Sequence, residues 1–209
     1  MTIELYNIKY TLITENDLEK LRQWRNSEYV RSKMLFQKTI TPEAQLAWYN
    51  NLDKIKNFYF IISSGGVELG MSNIKNIDYE NKTTEPGIFF IDEKFSNGEF
   101  SINCALIMIE ISLYFFGAKE LHSMAMKDNK PGFDFNTTLG FKATMEHVDY
   151  VDFTLTRERA LNTTKRIRNA FAKLYKTSPD EKLKISIGND PFLQQVYNNL
   201  ADKENIALC

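Results

Sequence analysis

Ser96-Asn97-Gly98 stands just ahead of the longest apolar run of the chain, residues 105–116, which only Glu110 and Ser112 interrupt. A glycine turn that opens a helix presents backbone N–H groups with no partner inside the helix, at the positive end of its dipole. Such donors hold a phosphate or pyrophosphate without a metal. The same residues also suit an ordinary turn between a strand and a helix. Further on, Asp128-Asn129 is followed at a fixed distance by Leu139-Gly140-Phe141, a helix exit leading into a buried aromatic. Two side chains can carry a proton: Glu85, beside Pro86 at the head of a strand, and His122, because a free imidazole titrates near pH 6.5. Glu85 equally fits a solvated strand end, His122 a structural place in its strand, and Asp92 the shaping of a loop. Arg25, Asn26 and Arg31 cluster early, and arginine forks bind diphosphates through paired hydrogen bonds. Surface pairing of those arginines with Glu28 or Asp17 is the alternative. Trp24 and Trp48 are expected in the core, with stacking on a base or sugar as the lesser option.

These residues need a scaffold. Residues 6–13 read as an early strand, and Thr14-Glu15-Asn16-Asp17 offers helix-start chemistry before Leu18, Leu21 and Trp24 on one face. A short helical piece holds Val30 and Met34, and Thr41-Pro42-Glu43 opens another helix with proline at its first position. Residues 58–62 and 67–77 form a hairpin about Ser63-Ser64-Gly65-Gly66. Residues 78–84 read as a loop, and 87–91 as a strand buried on both faces. A loop over 94–98 leads to a buried helix over 99–116 that ends at Gly117, followed by a strand at 119–125, a helix at 130–139 and two strands within 141–156. Beyond Thr156, residues 164–176 carry Ile167, Ala170, Phe171 and Leu174 on one face and Lys165, Arg166, Arg168 and Lys173 on the other, an amphipathic helix. Ser178-Pro179-Asp180 breaks it, 184–187 suits a short strand, and Pro191 starts a last helix.

The 209 residues, 43% hydrophobic and 13% aromatic, suit one globular core. A net charge of −1 exerts no global pull on nucleic acid or an anionic membrane. No basic region precedes an apolar run at the start, and the longest apolar run falls short of the roughly 20 residues of a membrane span. Cys104 and Cys209 lie far apart without metal-ligand spacing, so a reduced, cytoplasmic setting is the simplest reading.

A strand, the 96–98 turn, the long helix, a strand and then Asn129, Gly132, Asn136, Gly140 and Phe141 in register together resemble the GNAT superfamily of acyl-CoA N-acyltransferases. Upstream, Trp24-Arg25-Asn26, Val30-Arg31, Met34, residues 41–48, Gly70, Asn76-Ile77-Asp78, Glu85 and Gly87 are similar to the branch that acylates nucleotide-linked amino sugars and to ribosomal-protein acetyltransferases. The resemblance covers residues 6–156. It implies an α/β fold with a central mixed, mostly antiparallel sheet flanked by helices over 1–157, and an extra helical extension over 158–209 as lid or dimer contact.

The resemblance also assigns roles. The backbones of Phe89 and Ile91 would meet the acyl end of acyl-CoA, Ser96, Asn97, Gly98, Phe100 and Ser101 its pyrophosphate, and Asn129 its arm. Trp24, Arg25, Asn26, Arg31 and Gln45 would line the acceptor side. Asn136 stands where the family places the tyrosine that protonates the leaving thiolate, Glu99 where a glycine is usual, and Gln45 where the sugar branch often has histidine. The expected chemistry is direct attack of an amine on acyl-CoA, with Glu85 or His122 as base and no metal. The expected acceptor is a nucleotide-linked amino deoxysugar, and the acyl group acetyl or somewhat larger. A protein N-terminus as acceptor, or a ligand-binding protein without catalysis, are the alternatives. No nucleic acid or membrane partner is expected, and a monomer or homodimer.

Overall fold

The computed structural model describes residues 1–209. It opens on a hairpin, β1 (Thr2–Leu5) and β2 (Ile8–Leu12), turned by Tyr6 and Asn7 at φ 48° and 66°. Two successive positive φ values make the tight hairpin turn whose twist matches its strands. The sequence hides it because neither residue is glycine; instead Tyr6 is buried and stacks on Tyr175 at 5.7 Å. The strand expected over 6–13 is β2, which starts only at Ile8, and β1 ahead of the turn was not expected. Asp17 accepts hydrogen bonds from the Thr14 N–H at 2.9 Å and hydroxyl at 3.0 Å, starting a single 3₁₀ turn that leads into α1 (Leu18–Asn26). Ser27 caps α2 (Glu28–Arg31), and Thr41 with Pro42 starts α3 (Pro42–Asn50).

β3 (Phe58–Ser64) and β4 (Val67–Asp78) turn at Gly65-Gly66, and β5 (Thr83–Phe90) follows. A one-turn helix α4 (Glu93–Ser96) lies within the expected loop. α5 (Glu99–Glu110) continues as a π-helical turn over Ile111–Phe115, and then come β6 (Glu120–Met126), α6 (Lys130–Thr138), β7 (Lys142–Glu146) and β8 (Tyr150–Thr156). α7 (Arg157–Tyr175) begins seven residues earlier than its amphipathic stretch indicates. β9 (Leu183–Ser186), α8 (Pro191–Leu200) and β10 (Ile206–Leu208) complete the chain.

The strands form one sheet in the order β10-β9-β1-β2-β3-β4-β5-β6-β8-β7. Neighbours are antiparallel except β9 with β10 and β5 with β6. The segment 158–209, expected to be helical, thus also extends the sheet beyond β1. β9 earns its place through Leu183 and Ile185, both fully buried, on alternate positions.

The two faces are covered differently. One carries the large core with α5 at its centre, α7 lying along it and α8 against its π-helical end. On the other, α1 to α3 cover a smaller cluster of Ile13, Leu21, Val30, Ile61, Met71 and Phe89. Within the large core Glu110 is fully buried, and Arg168 of α7 meets both its oxygens at 2.5 and 2.6 Å. No helix is long and apolar enough to cross a membrane.

Candidate functional site

β5 and β6 run parallel but pair only at Thr83 with Glu120 and Thr84 with Leu121. Beyond that they diverge, and a cleft of 1490 Å³ passes through the gap from one face of the sheet to the other. The inner edge of β5 there has backbone groups with no strand to bond. Ile91 donates its N–H to the Leu69 carbonyl at 3.0 Å, and the register sets these residues opposite each other. Because antiparallel pairing alternates, the backbones of Glu85, Gly87 and Phe89 also turn toward β4, and those of Pro86, Ile88 and Phe90 toward the gap. Pro86, with no N–H to give, sits where β4 asks for none. Phe89 and Ile91, expected to offer backbone groups to a thioester, turn them toward β4; the backbones that face the gap are those of Ile88 and Phe90. Gly70 makes the arrangement possible, since a Cβ there would lie 2.0 Å from the Phe89 carbonyl oxygen.

On the face of the large core, Ser96, Asn97, Gly98 and Ser101 line the cleft at the start of α5. Gly98 has φ 78° and ψ −149°, a conformation open essentially to glycine alone. Ser101 donates its hydroxyl to the Gly98 carbonyl at 3.0 Å, and Ser96 accepts from the Tyr29 hydroxyl at 3.1 Å. The Phe100 ring does not join them, packing edge-on against Phe95, while its backbone N–H is among the first of α5. Asn129 accepts the Gly132 N–H at 3.1 Å and so caps α6. A Cβ on residue 132 would lie 2.7 Å from the Asn129 Nδ2, so glycine there leaves that amide free to donate into the cleft. Asn136 is buried and accepts the Ser123 hydroxyl at 3.1 Å. This half of the cleft can hold a pyrophosphate on backbone donors and thread an extended, amide-bearing arm along β5. Residues of α7, Arg166, Ile167, Ala170 and Phe171, also line the cleft.

On the opposite face the floor is a row of side chains from three adjacent strands. Tyr59 stands beside Asn73, Asn73 beside Gly87, and Lys75 beside Glu85. Glu85 accepts from the Lys75 ammonium at 2.5 Å and from the Asn76 amide at 2.7 Å, so both its oxygens are engaged. Above lie Arg25, Gln45 and Trp48, whose indole meets Tyr59 edge-on at 4.9 Å. Arg25 is half-buried and has neither an ion-pair nor a hydrogen-bond partner. Burial pulls its pKa down, with the Tyr59 hydroxyl opposing. Burial likewise pushes Tyr59 up, assisted by Glu85 and opposed by Arg25. Gln45 is buried against the chamber.

Four expected residues lie elsewhere. Asn26 bonds the backbone of Ile40 in both directions at 2.8 Å, fastening the 32–41 loop to α1. Arg31 pairs with Glu28, the surface alternative. Trp24 packs on the smaller cluster under the Lys20 ammonium. His122 does not line the cleft: it is half exposed and lies 3.2 Å from Glu120, although Met124 on the same face of β6 does line it. Tyr59, Asn73 and Lys75 were not singled out from sequence; their alternation along β3 and β4 was a signal, but which strands adjoin was not. No three His, Cys, Asp or Glu side chains gather as a metal-binding group.

A mostly antiparallel sheet split between two parallel strands, with a glycine-capped helix rising from the split, is the fold of the GNAT acetyltransferases, and the chain has it. Among solved structures it is similar to a spermidine N-acetyltransferase from Vibrio cholerae in complex with CoA and spermine, at TM-score 0.67 and 12% identity over 76% of this chain and 100% of that one. It is also similar to apo FdhC, a nucleotide-linked sugar GNAT, at TM-score 0.67 and 18% identity over 83% of this chain and 97% of that one. A domain from Methanocaldococcus jannaschii superposes at TM-score 0.59 and 21% identity over 71% of this chain and 97% of that one. No family model and no protein of curated function matches the sequence.

Proposed function

We propose that the chain transfers an acyl group from acyl-CoA to the amine of a small acceptor that carries an anionic group, a nucleotide-linked amino deoxysugar. The observation that carries this reading is Arg25, a half-buried guanidinium without a partner in the acceptor chamber. Arg25, Lys33 and Lys75 line that side of the cleft against one carboxylate, Glu85, which Lys75 already neutralises. A polyamine acceptor needs the reverse charge. A diphosphate suits this chamber, with Trp48 and Tyr59 offering aromatic surface to a base or sugar.

CoA supplies an activated thioester. The chain's residues would hold its pyrophosphate on the first N–H groups of α5, its arm along Ile88 and Phe90, and a pantetheine carbonyl on the Asn129 amide. The unpaired positive charge of Arg25 disfavours the ammonium form of the acceptor, so the amine enters closer to its neutral, nucleophilic state. Glu85 would take the shed proton through water. Asn136 cannot protonate the leaving sulfur, but with its oxygen bound to Ser123 its Nδ2 can donate a hydrogen bond to it. We place α7 as a fixed wall of the cofactor half of the cleft.

The test is thiol release from acetyl-CoA and longer acyl-CoAs against dTDP- and UDP-amino sugars, spermidine and N-terminal peptides. The expected result is turnover with an amino sugar nucleotide, lost in Arg25→Met through a rise in acceptor KM. Turnover with spermidine or peptides alone would overturn the acceptor assignment.

A further inference from the structure

We propose that the Asn73 carboxamide, lying over the bare backbone of Gly87, receives the acceptor's amine and aims it at the gap between β5 and β6. The proposal rests on the acyl-transfer reading above and names the residue that orients the nucleophile. Tyr59, Asn73 and Gly87 form a straight row across β3, β4 and β5 on the acceptor face. Gly87 lies in mid-strand, where glycine lowers strand stability and marks a close approach by another group. Here that group is Asn73: a Cβ on residue 87 would sit 2.9 Å from Asn73 Oδ1 and 3.3 Å from its Nδ2. The carboxamide therefore leans across β5 toward the gap, in space that only glycine leaves open.

Its two ends differ. Nδ2 donates to the Glu85 carbonyl at 3.3 Å, which anchors the amide, while Oδ1 has no donor in the protein. An acceptor-only oxygen, fixed in place on the chamber floor, suits an amine N–H. With one N–H held there, the nitrogen lone pair is left to face the gap, where the backbones of Ile88 and Phe90 are unpaired. The nitrogen then bonds to the thioester carbonyl carbon, the C–S bond breaks with its electron pair on sulfur, and the nitrogen's proton leaves through water to Glu85. Asn73 takes no proton in this scheme; it sets direction, which in a near-attack geometry is worth about 100-fold in rate for a 1 Å displacement.

The experiment compares wild type with Asn73→Ala, Asn73→Asp and Gly87→Ala, measuring kcat and acceptor KM at saturating acyl-CoA together with CoA affinity by calorimetry. Asn73→Ala is expected to lose about 100-fold in kcat/KM for the acceptor with CoA affinity within about twofold. Asn73→Asp, which keeps an oxygen acceptor, should recover part of that loss, and Gly87→Ala, which displaces the carboxamide, should raise acceptor KM. Asn73→Ala with wild-type kinetics and only a lower melting temperature would overturn the proposal, as would Asn73→Asp no better than Asn73→Ala. If wild type binds CoA and acylates no amine, the acyl-transfer reading itself falls, a result visible before any variant is made.

Discussion

Replacing Arg168 with methionine removes the only counter-charge of a carboxylate that water does not reach. Arg168 donates to both oxygens of Glu110 and, through its third nitrogen, to the carbonyls of Pro179 at 3.0 Å and Glu181 at 2.6 Å. It thereby joins α5, α7 and the approach to β9. Removing one partner of such a pair leaves an uncompensated buried charge, at a cost of about 3–5 kcal/mol. For a chain of this size that corresponds to a fall in Tm of about 6–20 °C. The loss should depend on pH in a definite sense. Burial already holds the Glu110 pKa above its ordinary value, with Arg168 opposing, so removing Arg168 raises it further. A group whose folded pKa exceeds its unfolded one contributes its stability in full below the unfolded value and loses it as pH rises through the folded value. The deficit of Arg168→Met relative to wild type should therefore be largest near pH 8 and shrink toward pH 5. Urea unfolding at several pH values measures it, and Glu110→Gln in the same chain should restore much of the stability at pH 8. A deficit that is the same at pH 5 and pH 8, or none at pH 8, would refute the reasoning.

Two other outcomes follow from close contacts. Gly70→Ala places a Cβ against the backbone of β5, which no rotamer change relieves; the cost should reach or exceed the upper part of the 1–3 kcal/mol range of overpacking, and CoA affinity should fall with it. Wild-type CoA affinity in that variant would show that the gap does not depend on this contact. Asn26→Ala breaks two hydrogen bonds to Ile40 and should cost about 1–3 kcal/mol while loosening the 32–41 loop, which shows as faster hydrogen exchange there and a higher acceptor KM with CoA binding unchanged.

Local rules located most elements because each carries its signal in a few neighbouring residues: Thr41-Pro42 at α3, Gly65-Gly66 in the hairpin, Gly98 before α5, Pro191 at α8. Where a tertiary partner supplied the reason, they failed. Tyr6 accepts a left-handed turn because Tyr175 stacks on it, and β9 and β10 find their places in a sheet whose edge lies almost the whole chain away in sequence. The same division runs through the site. Ser96, Gly98 and Asn129, singled out through the family resemblance, line the cleft, whereas the ring of Phe100 is turned aside by the helix it belongs to.

By itself, then, the sequence determined the fold class, the glycine turn before α5 and the extent of α6, since backbone conformation is settled within a few residues. Tertiary structure decided which polar side chains face the cleft. Arg25, Asn26 and Arg31 are near neighbours on the chain, yet Ile40 holds Asn26, Glu28 holds Arg31, and only Arg25 stays free over Tyr59. The row of Tyr59, Asn73 and Gly87 exists only through strand register, which places side by side residues that the sequence keeps fourteen apart.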